Sequence, residues 1–572
     1  MSPNSSNKKT ASKKPSNKRK STPKASVQVA KEKSALSTIG DSKRGAVNVS
    51  DLKTRDAVLT PHTLRVVAVI DIGATSIRMA IAQVDIDGKI ENLESLSQAV
   101  SLGKDSFIDG KINTKTIEEC VRVLKIYRAK LVEYHITREK DIHVVATSAV
   151  REASNRLALL DRIYIATGFE IEPFDEAELH RVTYLGIQPL LKNNPSFRQQ
   201  ANIFCEIGGG STEILVVEDG NVVFSETYRM GSLRLRKTLE AFHAPISEER
   251  SIMCGQINNV IQRFKRSLPK LTDVNFVGMG GDLRFAISEM KVKSISKNGL
   301  GKVDLERFEK FTESIIRLTP DQLFNKYELS FPEAESLGPA LLANLSLIKS
   351  LDVSEFYVSS VNMREGLVRE MIHPQVWNQE FREQVIRYSV ELGRNYQFDE
   401  EFAVNVAALA HSLFSELQSE HELDSKFALI LNVAALLHEI GQFVNHRGFH
   451  KHTLYLIRNS DFFGLGQKDV LLAALVARYH RRAHPQPNHE GYSSLGRKDR
   501  VAVSKLAAIL RLAIAINISR QNYFDAVNCD IGDEIINIRL PKKDLSMESL
   551  ALNQFGLLFQ ETFGKRISVS EE

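Results

Sequence analysis

Two segments of the chain share one design, in which an acidic residue at the end of an apolar run leads a tight turn into a second apolar run. The first turn, residues 71–76, reads DIGATS, and the second, residues 206–213, reads EIGGGSTE. The apolar runs that flank each turn predict two strands. A Walker phosphate loop leads into a helix instead. The repeated strand–turn–strand unit therefore predicts a duplicated α/β fold with a cleft between its two halves.

Both turns are predicted to bind phosphate, because glycine lets several backbone N–H groups converge on one anion. A third glycine turn, GMGG at residues 278–281, follows another apolar run, and Arg151 follows the strand predicted at residues 142–146. A single turn of this kind also fits a plain hairpin, and Arg151 also fits a solvated helix start. The candidate phosphate-binding residues are Gly73, Ala74, Thr75, Ser76, Arg151, Gly208, Gly209, Gly210, Ser211, Thr212, Gly280 and Gly281.

The acidic residues Asp71 and Glu206 lead the two turns and are candidate metal ligands. Mg²⁺ prefers carboxylates together with water and substrate oxygens. Two facing turns, each with a carboxylate, would hold two or more phosphates of one substrate across the cleft. The sequence therefore predicts Mg²⁺ as the cofactor.

The motifs, in this order, resemble the exopolyphosphatase / guanosine pentaphosphate phosphohydrolase (Ppx/GppA) family, from about residue 65 to the end. Residues 71–76 resemble the family's D-[IL]-G-S-N-S turn, and residues 206–213 resemble its D-I-G-G-G-S-T-E. Three shorter motifs agree: ATSAVR at 146–151, GMGG at 278–281 and REG at 364–366. Further along, LHEIG at 437–441 and HRGFHKH at 446–452 resemble the HD-like domain of longer members.

The resemblance implies a duplicated actin-like (ribonuclease H-like) α/β fold that hydrolyses terminal phosphoryl groups with Mg²⁺. The substrate would be inorganic polyphosphate or guanosine pentaphosphate. Asp71 and Glu206 would support the metal, and Glu213 would orient water or metal. Water would attack in line while the metal and N–H donors absorb the charge of the transferred group. Related enzymes are dimers, so the resemblance also implies a homodimer.

One departure concerns the family's proposed general base, a glutamate in a G-x-E-E-A-R stretch. Here residues 176–181 read EAELHR, and the flanking segments keep the register, so Leu179 occupies the position of the base. A leucine cannot accept a proton, and loss of a general base typically costs about 10²–10⁴ in rate. Glu178 is the candidate replacement, although one residue on a helix turns a side chain by about 100°.

Three smaller departures lie in the turns. Glu206 replaces an aspartate, Thr75 replaces an asparagine, and Asp282 replaces a threonine after the third glycine turn. The functions left open are polyphosphate hydrolysis, guanosine pentaphosphate hydrolysis and a catalytically weak sensor that binds polyphosphate or a nucleotide. Leu179 and Asp282 favour the sensor, whereas the basic segments described next favour a long anionic substrate.

The charge of the chain is unevenly distributed. Residues 1–60 hold 14 Lys/Arg and 4 Asp/Glu, whereas the whole chain has a net charge of only +5. This segment has no apolar periodicity, so we expect a disordered tail that contacts polyanions or only aids solubility. The expected division is a tail at 1–60, actin-like subdomains at 61–190 and 191–374, an all-α HD-like domain at 375–520 and a small α/β cap at 521–572.

The remaining expectations concern the cellular location and the C-terminal region, residues 375–572. Four distant cysteines, no membrane-length apolar run and no secretory signal favour the cytoplasm. Apolar residues at helical spacing predict helices at 402–417, 425–438, 468–479 and 501–516. We expect the histidines there to be hydrogen-bonded, some of them along a basic channel, rather than metal ligands. Residues 299–302 (GLGK) are expected to form a loop.

Overall fold

A computed structural model of the chain describes residues 65–571 with short gaps. The expected basic tail, residues 1–60, lies outside the described residues. None of the helices in the described ranges has the length and apolar character that a membrane crossing requires. The gaps are at residues 86–88, 196, 198–199, 242–245, 270, 272–273, 293–298, 373–378, 461, 523 and 542–544.

The first of the two actin-like halves contains a five-stranded sheet in the order β3-β2-β1-β4-β5. β1 to β3 form an antiparallel meander, and β4 and β5 continue the sheet parallel to β1. β1 reads RVVAVIDI and is buried from its third residue on, as expected for a central strand covered on both faces. The strands are β1 (Arg65–Ile72), β2 (Ser76–Val84), β3 (Ile90–Ala99), β4 (Ile142–Ala146) and β5 (Ile171–Pro173).

The second actin-like half repeats this topology. Its sheet has the order β10-β11-β9-β6-β7-β8, so that β8-β7-β6-β9-β11 corresponds to β3-β2-β1-β4-β5, and β10 is an additional antiparallel edge strand. The prediction of a duplicated actin-like fold is thereby confirmed. The strands are β6 (Ala201–Ile207), β7 (Thr212–Glu218), β8 (Asn221–Tyr228), β9 (Val274–Met279), β10 (Leu300–Asp304) and β11 (Glu355–Ser359).

Twelve described helices cover these two sheets. They are α1 (Leu102–Asp109), α2 (Thr114–Glu133), α3 (Ser148–Glu152), α4 (Arg156–Thr167), α5 (Glu176–Asn193), α6 (Ser232–Ala241), α7 (Ile246–Ser267), α8 (Gly281–Glu289), α9 (Leu305–Ile316), α10 (Pro320–Tyr327), α11 (Phe331–Lys349) and α12 (Met363–Ile372). Although α12 follows the second sheet in the chain, it packs against α5 and β1 of the first half. A 3₁₀ turn, Glu139–Asp141, precedes β4.

The expectation of a loop at residues 299–302 was wrong, because most of this segment belongs to β10. Leu300 pairs with Ser359 and Asp304 with Glu355, both on β11. The pairing joins residues more than 50 positions apart, and a strand held by such a distant partner leaves little local signal.

The C-terminal region, residues 379–571, follows the two actin-like halves; it begins with helices, as predicted, and ends in a three-stranded sheet of order β12-β13-β14. Its helices are α13 (Gln379–Asn395), α14 (Glu400–Glu416), α15 (Gln418–His421), α16 (Lys426–Leu437), α17 (Phe449–Arg458), α18 (Gln467–Arg478), α19 (Arg497–Ile516), α20 (Ser546–Phe555) and α21 (Leu557–Phe563), with 3₁₀ turns at Ile440–Phe443 and Tyr492–Ser494. Its strands are β12 (Asn528–Ile531), β13 (Ile535–Leu540) and β14 (Arg566–Glu571). The buried face of α5 joins this helical core through Tyr184 and Ile187.

Candidate active site

The two acid-led turns form equivalent cradles, which we call the first cradle (residues 71–76) and the second cradle (residues 206–211). Each is closed by the same hydrogen bond: Gly73 N–H donates to the Ser76 carbonyl at 3.0 Å, and Gly208 N–H donates to the Ser211 carbonyl at 2.8 Å. The closure follows directly on the last strand pairs of the two hairpins, Ile72 with Ile77 and Ile207 with Thr212. In the part of the chain that the structure describes, the N–H groups between each closing pair donate to no backbone carbonyl.

Each cradle is also held by the helix that follows its meander. The Ala74 carbonyl accepts from Gly103 N–H at 2.8 Å, in the first turn of α1, and the Gly209 carbonyl accepts from Leu233 N–H at 3.0 Å, in the first turn of α6. The cradles face each other closely, since a Cβ added to Gly209 would lie 3.0 Å from the Ala74 Cβ. The free N–H groups of both turns therefore border one space.

This space is a cleft of about 260 Å³ that the third glycine turn closes on one side. Gly280 has φ +105°, which glycine adopts without strain, and a Cβ added to it would lie 3.8 Å from Glu206 Oε1. Of the predicted phosphate-binding residues, the cleft is lined by Gly73, Ala74, Thr75, Ser76, Gly208, Gly209, Gly210, Ser211, Gly280 and Gly281.

Asp71 and Glu206, the predicted metal ligands, both line the cleft. Burial raises the pKa of both carboxyls, although arginines nearby oppose the shift. Asp71 Oδ1 is buried without a hydrogen-bond partner, and its Oδ2 lies 3.6 Å from Nη1 of Arg364. An unpartnered buried carboxylate oxygen beside a second carboxylate suits a hard cation.

Among the described residues no group of three side chains is arranged to hold a metal. Mg²⁺ usually keeps several waters and binds through one or two carboxylates plus substrate phosphates. The pair of Asp71 and Glu206 therefore fits Mg²⁺ better than it fits a metal that needs a complete protein ligand set.

Glu213, predicted to be catalytic, lies directly opposite Glu206 in the β6–β7 pairing and also lines the cleft. Burial, and next the neighbouring Glu206, raise the pKa of Glu213 to about 8, although a hydrogen bond from Ser211 acts against this. That hydrogen bond, from Ser211 Oγ to Glu213 Oε1, measures 2.6 Å. A carboxyl in a cleft with its pKa near neutrality is suited to proton transfer.

Three predicted residues do not face the cleft. The Glu178 carboxylate accepts from Asp175 N–H at 2.8 Å in a capping box at the start of α5. Arg151 donates to the Phe174 carbonyl at 2.7 Å and lines a different groove. Thr212 is fully buried and donates through Oγ1 to the Met230 carbonyl at 2.6 Å. Each side chain is bonded to a backbone group, and a motif comparison does not reveal such bonds.

Leu179, by contrast, lines the cleft, so helix α5 presents a leucine there and turns Glu178 away. Burial raises the pKa of Glu178 to about 7. The capping partner of Glu178 reaches further, because Asp175 Oδ2 also accepts from Gln467 N–H at 2.6 Å, at the start of α18. Asp175 thus caps its own helix, α5, and also α18 of the C-terminal region.

Sequence reasoning missed three arginines of the cleft: Arg78, Arg284 and Arg364. Arg78 pairs with Asp71 across the β1–β2 hairpin. Burial lowers the pKa values of Arg284 and Arg364 despite the nearby carboxylates. Two signals were available: a turn closed between residues 73 and 76 sets a register that places residue 78 opposite residue 71, and Arg364 stands in the REG motif.

Asp282, which replaces a threonine in the family pattern, also lines the cleft, in the first turn of α8. Burial raises its pKa to about 6, although Arg78 opposes this. Asp282 thus adds a carboxylate to the cleft besides Asp71, Glu206 and Glu213.

The histidines of the C-terminal region do not line this cleft. His438 and His480 are buried, and each shares a hydrogen bond through Nδ1 with a carbonyl in the last turn of the helix that precedes it, at 2.6 Å to Ala435 and 2.5 Å to Ala477. Their rings are 5.1 Å apart, and burial lowers the pKa of both. These contacts agree with the expected structural role. The HD-like character of the region stays a prediction.

Comparison with known protein families gives two adjoining matches. The sequence model described as "Ppx/GppA phosphatase family" matches residues 66–375, and the one described as "Ppx/GppA phosphatase, domain III" matches residues 385–557. Together the two matches span both actin-like halves and most of the C-terminal region.

Two relatives are both described as guanosine-5'-triphosphate,3'-diphosphate pyrophosphatase. The protein from Vibrio atlanticus is 25% identical over 464 residues, which cover 78% of this chain and 86% of the relative. The protein from Pseudoalteromonas translucida is 22% identical over 481 residues, which cover 83% of this chain and 92% of the relative. Among solved structures, the exopolyphosphatase from Cytophaga hutchinsonii is 20% identical, with a TM-score of 0.48 over 54% of this chain and 98% of that one.

Proposed function

This chain belongs to the Ppx/GppA phosphatase family, and on that premise we propose that it hydrolyses terminal phosphoryl groups of inorganic polyphosphate with Mg²⁺. The observation that supports this most is the pairing of two acid-led glycine turns across one cleft with three arginines. Backbone N–H groups and arginines are complementary to phosphate oxygens.

The residues of the cleft divide the work. The free N–H groups of both cradles and the three arginines would hold phosphate oxygens and absorb charge as the bond to the leaving oxygen breaks. Asp71 and Glu206 would hold Mg²⁺, which supplies further charge neutralisation at the transferred group when it is bound. Glu213, when ionised, would accept a proton from the attacking water at its carboxylate.

The positive charges of the C-terminal region favour a long anionic substrate. The side chains of Lys451, Arg478 and Arg481 lie close enough to His450 to lower its pKa, after burial, which acts most strongly. A cluster of cations guides a polyanion from a distance. The basic segment at residues 1–60 would add to this attraction.

Guanosine pentaphosphate is the second candidate substrate, because both relatives are named for it. A third candidate is a non-catalytic sensor of the same ligands, and Leu179 in the cleft favours it. All three share the phosphate cleft and differ in what happens after binding.

Phosphate release by the purified protein with Mg²⁺ tests the proposal directly, on long-chain polyphosphate, guanosine pentaphosphate and ATP in parallel. Release from polyphosphate, abolished by a chelator and restored by Mg²⁺, supports the proposed function. Preferred release from guanosine pentaphosphate replaces it with the second candidate. Tight polyphosphate binding without release from any substrate favours the sensor.

Leu179→Glu separates a slow hydrolase from a sensor. A carboxylate at this position is expected to raise the rate of phosphate release by about tenfold or more, since general-base catalysis contributes about 10²–10⁴. Leu179→Gln is the matched control, because it has the same shape without a basic oxygen. Equal rates for the two variants would show that a carboxylate at residue 179 adds no catalysis beyond that of Glu213. Polyphosphate binding without phosphate release by either variant would favour the sensor.

A further inference from the structure

Glu152, the last residue of α3, joins the two halves of the molecule beside the cleft. Its carboxylate accepts from two arginines of the second half. Arg229 Nη2 lies 2.7 Å from Oε2, and Arg234 Nη2 lies 3.0 Å from both oxygens. Partial burial would raise the pKa of Glu152, but hydrogen bonds from Arg229 and Arg234 hold it below its usual value.

The two arginines differ in what else they touch. The Arg234 Nε donates to the Gly210 carbonyl of the second cradle at 3.0 Å, and its guanidinium lies 4.4 Å from the ring centre of Phe107 on α1. The Arg234 side chain is 22% exposed and that of Arg229 is 73% exposed. An exposed ion pair contributes little, so the contact of Arg234 is the one with consequences for the cleft.

The geometry of the peptide bond links this contact to phosphate binding. Because the peptide unit is planar and trans, a fixed Gly210 carbonyl also fixes the Ser211 N–H, which points in the opposite direction. Ser211 lines the cleft, and its N–H, like those of Gly209 and Gly210 before it, donates to no backbone carbonyl among the described residues. Arg234 therefore sets the direction of one candidate phosphate donor.

We propose that Glu152 is a positioning residue, which holds Arg234 and through it the Gly210–Ser211 peptide in the orientation that binds phosphate. The inference rests on the proposed function only in assuming that phosphate enters this cleft. It assigns the first half a part in shaping the second cradle. The carboxylate acts without touching the substrate.

Three variants of the full-length protein test this. Glu152→Gln removes the charge at constant size, Arg234→Lys keeps a charge but loses the planar Nε contact, and Arg229→Gln removes only the exposed partner. Amide hydrogen exchange of the peptide that spans residues 206–213 is measured without ligand. KM and kcat for polyphosphate are measured with Mg²⁺, and the melting temperature of each variant shows that it is folded.

We expect Glu152→Gln and Arg234→Lys to speed exchange in this peptide and to raise KM about tenfold with a smaller change in kcat, the size of one charge-assisted hydrogen bond. Arg229→Gln should change neither by more than about twofold. Equal behaviour of Glu152→Gln and Arg229→Gln would overturn the proposal. If the wild-type protein releases no phosphate from polyphosphate, the proposed function fails, while the exchange measurement still decides for or against the positioning role.

The reversed pair, Glu152→Arg with Arg234→Glu, separates positioning from simple closure of the cleft. It restores an ion pair between the halves but leaves no donor for the Gly210 carbonyl. KM that stays raised supports the positioning role. A KM that returns to the wild-type value shows that the ion pair only holds the halves together, and would overturn it.

Discussion

The two cradles have the same backbone frame, but they differ in the side chain opposite the leading carboxylate. In the first cradle Arg78 lies opposite Asp71, whereas in the second Glu213 lies opposite Glu206. The first cradle therefore brings its own counter-charge, and the second collects negative charge that burial makes costly. A duplicated turn thus repeats its N–H groups, whereas the residue opposite the leading carboxylate determines whether a copy has a counter-charge or a second carboxylate.

The largest expected effect comes from Glu213→Gln, which removes the carboxylate that we propose as the proton acceptor in the second cradle. We expect kcat for polyphosphate to fall by about 10²–10⁴ with little change in KM. Glu226→Gln, on the adjacent strand and bonded to Tyr228, is the matched control. A kcat within a few fold of the wild-type value would assign the base to another group and leave the two cradles functionally alike.

Arg78→Gln tests the counter-charge of the first cradle. Loss of a charged donor to phosphate is expected to weaken binding by about tenfold to a hundredfold, which appears as a raised KM. Arg138→Gln is the control, since Arg138 is exposed and pairs with Asp141 away from the cleft. An unchanged KM would mean that Arg78 serves only to balance Asp71.

Gly210→Ala tests why the second cradle has three glycines and the first only one. A Cβ at residue 210 would overlap the Phe107 ring and lie 2.7 Å from Ser148 Oγ, whereas Thr75 occupies the equivalent position in the first cradle. Overpacking of this kind costs about 1–3 kcal/mol, measured by denaturant unfolding. Gly73→Ala, with its nearest contact at 3.2 Å, should cost less. Equal losses would show that the glycines serve the turn rather than the contact.

Glu178→Gln gives the smallest effect and separates a structural carboxyl from a reactive one. The pKa of Glu178 rises from 4.5 to about 7 in the folded protein, mainly through burial. The folded state therefore gains stability from the protonated form at low pH and loses it as the pH rises from about 4.5 to 7.

Glutamine cannot ionise, so the variant should melt on the order of 2 °C above the wild-type protein at pH 8 and at the same temperature near pH 4.5. Glu176→Gln, at an exposed neighbour, controls for the loss of a surface charge. Phosphate release should stay unchanged in both variants. A lower melting temperature for Glu178→Gln at pH 8 would contradict the sign of this shift.

Reasoning from the sequence predicted the strands, the acid-led turns and the repeated topology, because apolar runs and glycine turns are local signals. Most of the predicted phosphate-binding residues do line the cleft for the same reason. It missed β10, whose partner is distant, and it placed Glu178 in the site although a capping box engages its carboxylate.

Side-chain direction was the harder part. Thr212 and Ser211 are neighbours in one motif, yet Thr212 is bonded to Met230 while Ser211 borders the cleft. Arg284 could not be assigned from the chain alone, since its role depends on how α8 meets the second cradle. Such choices are made by packing between halves, which no local pattern encodes.

The N–H groups that we propose as phosphate donors in both cradles belong to the main chain, and this affects how the family can evolve. A point mutation replaces a side chain and leaves the N–H group in place, unless proline is introduced. A lineage with this fold can therefore change or lose its reactive carboxylates while it keeps its grip on phosphate. Hydrolysis and signalling by binding alone then lie only a few substitutions apart, and Leu179 marks one such position.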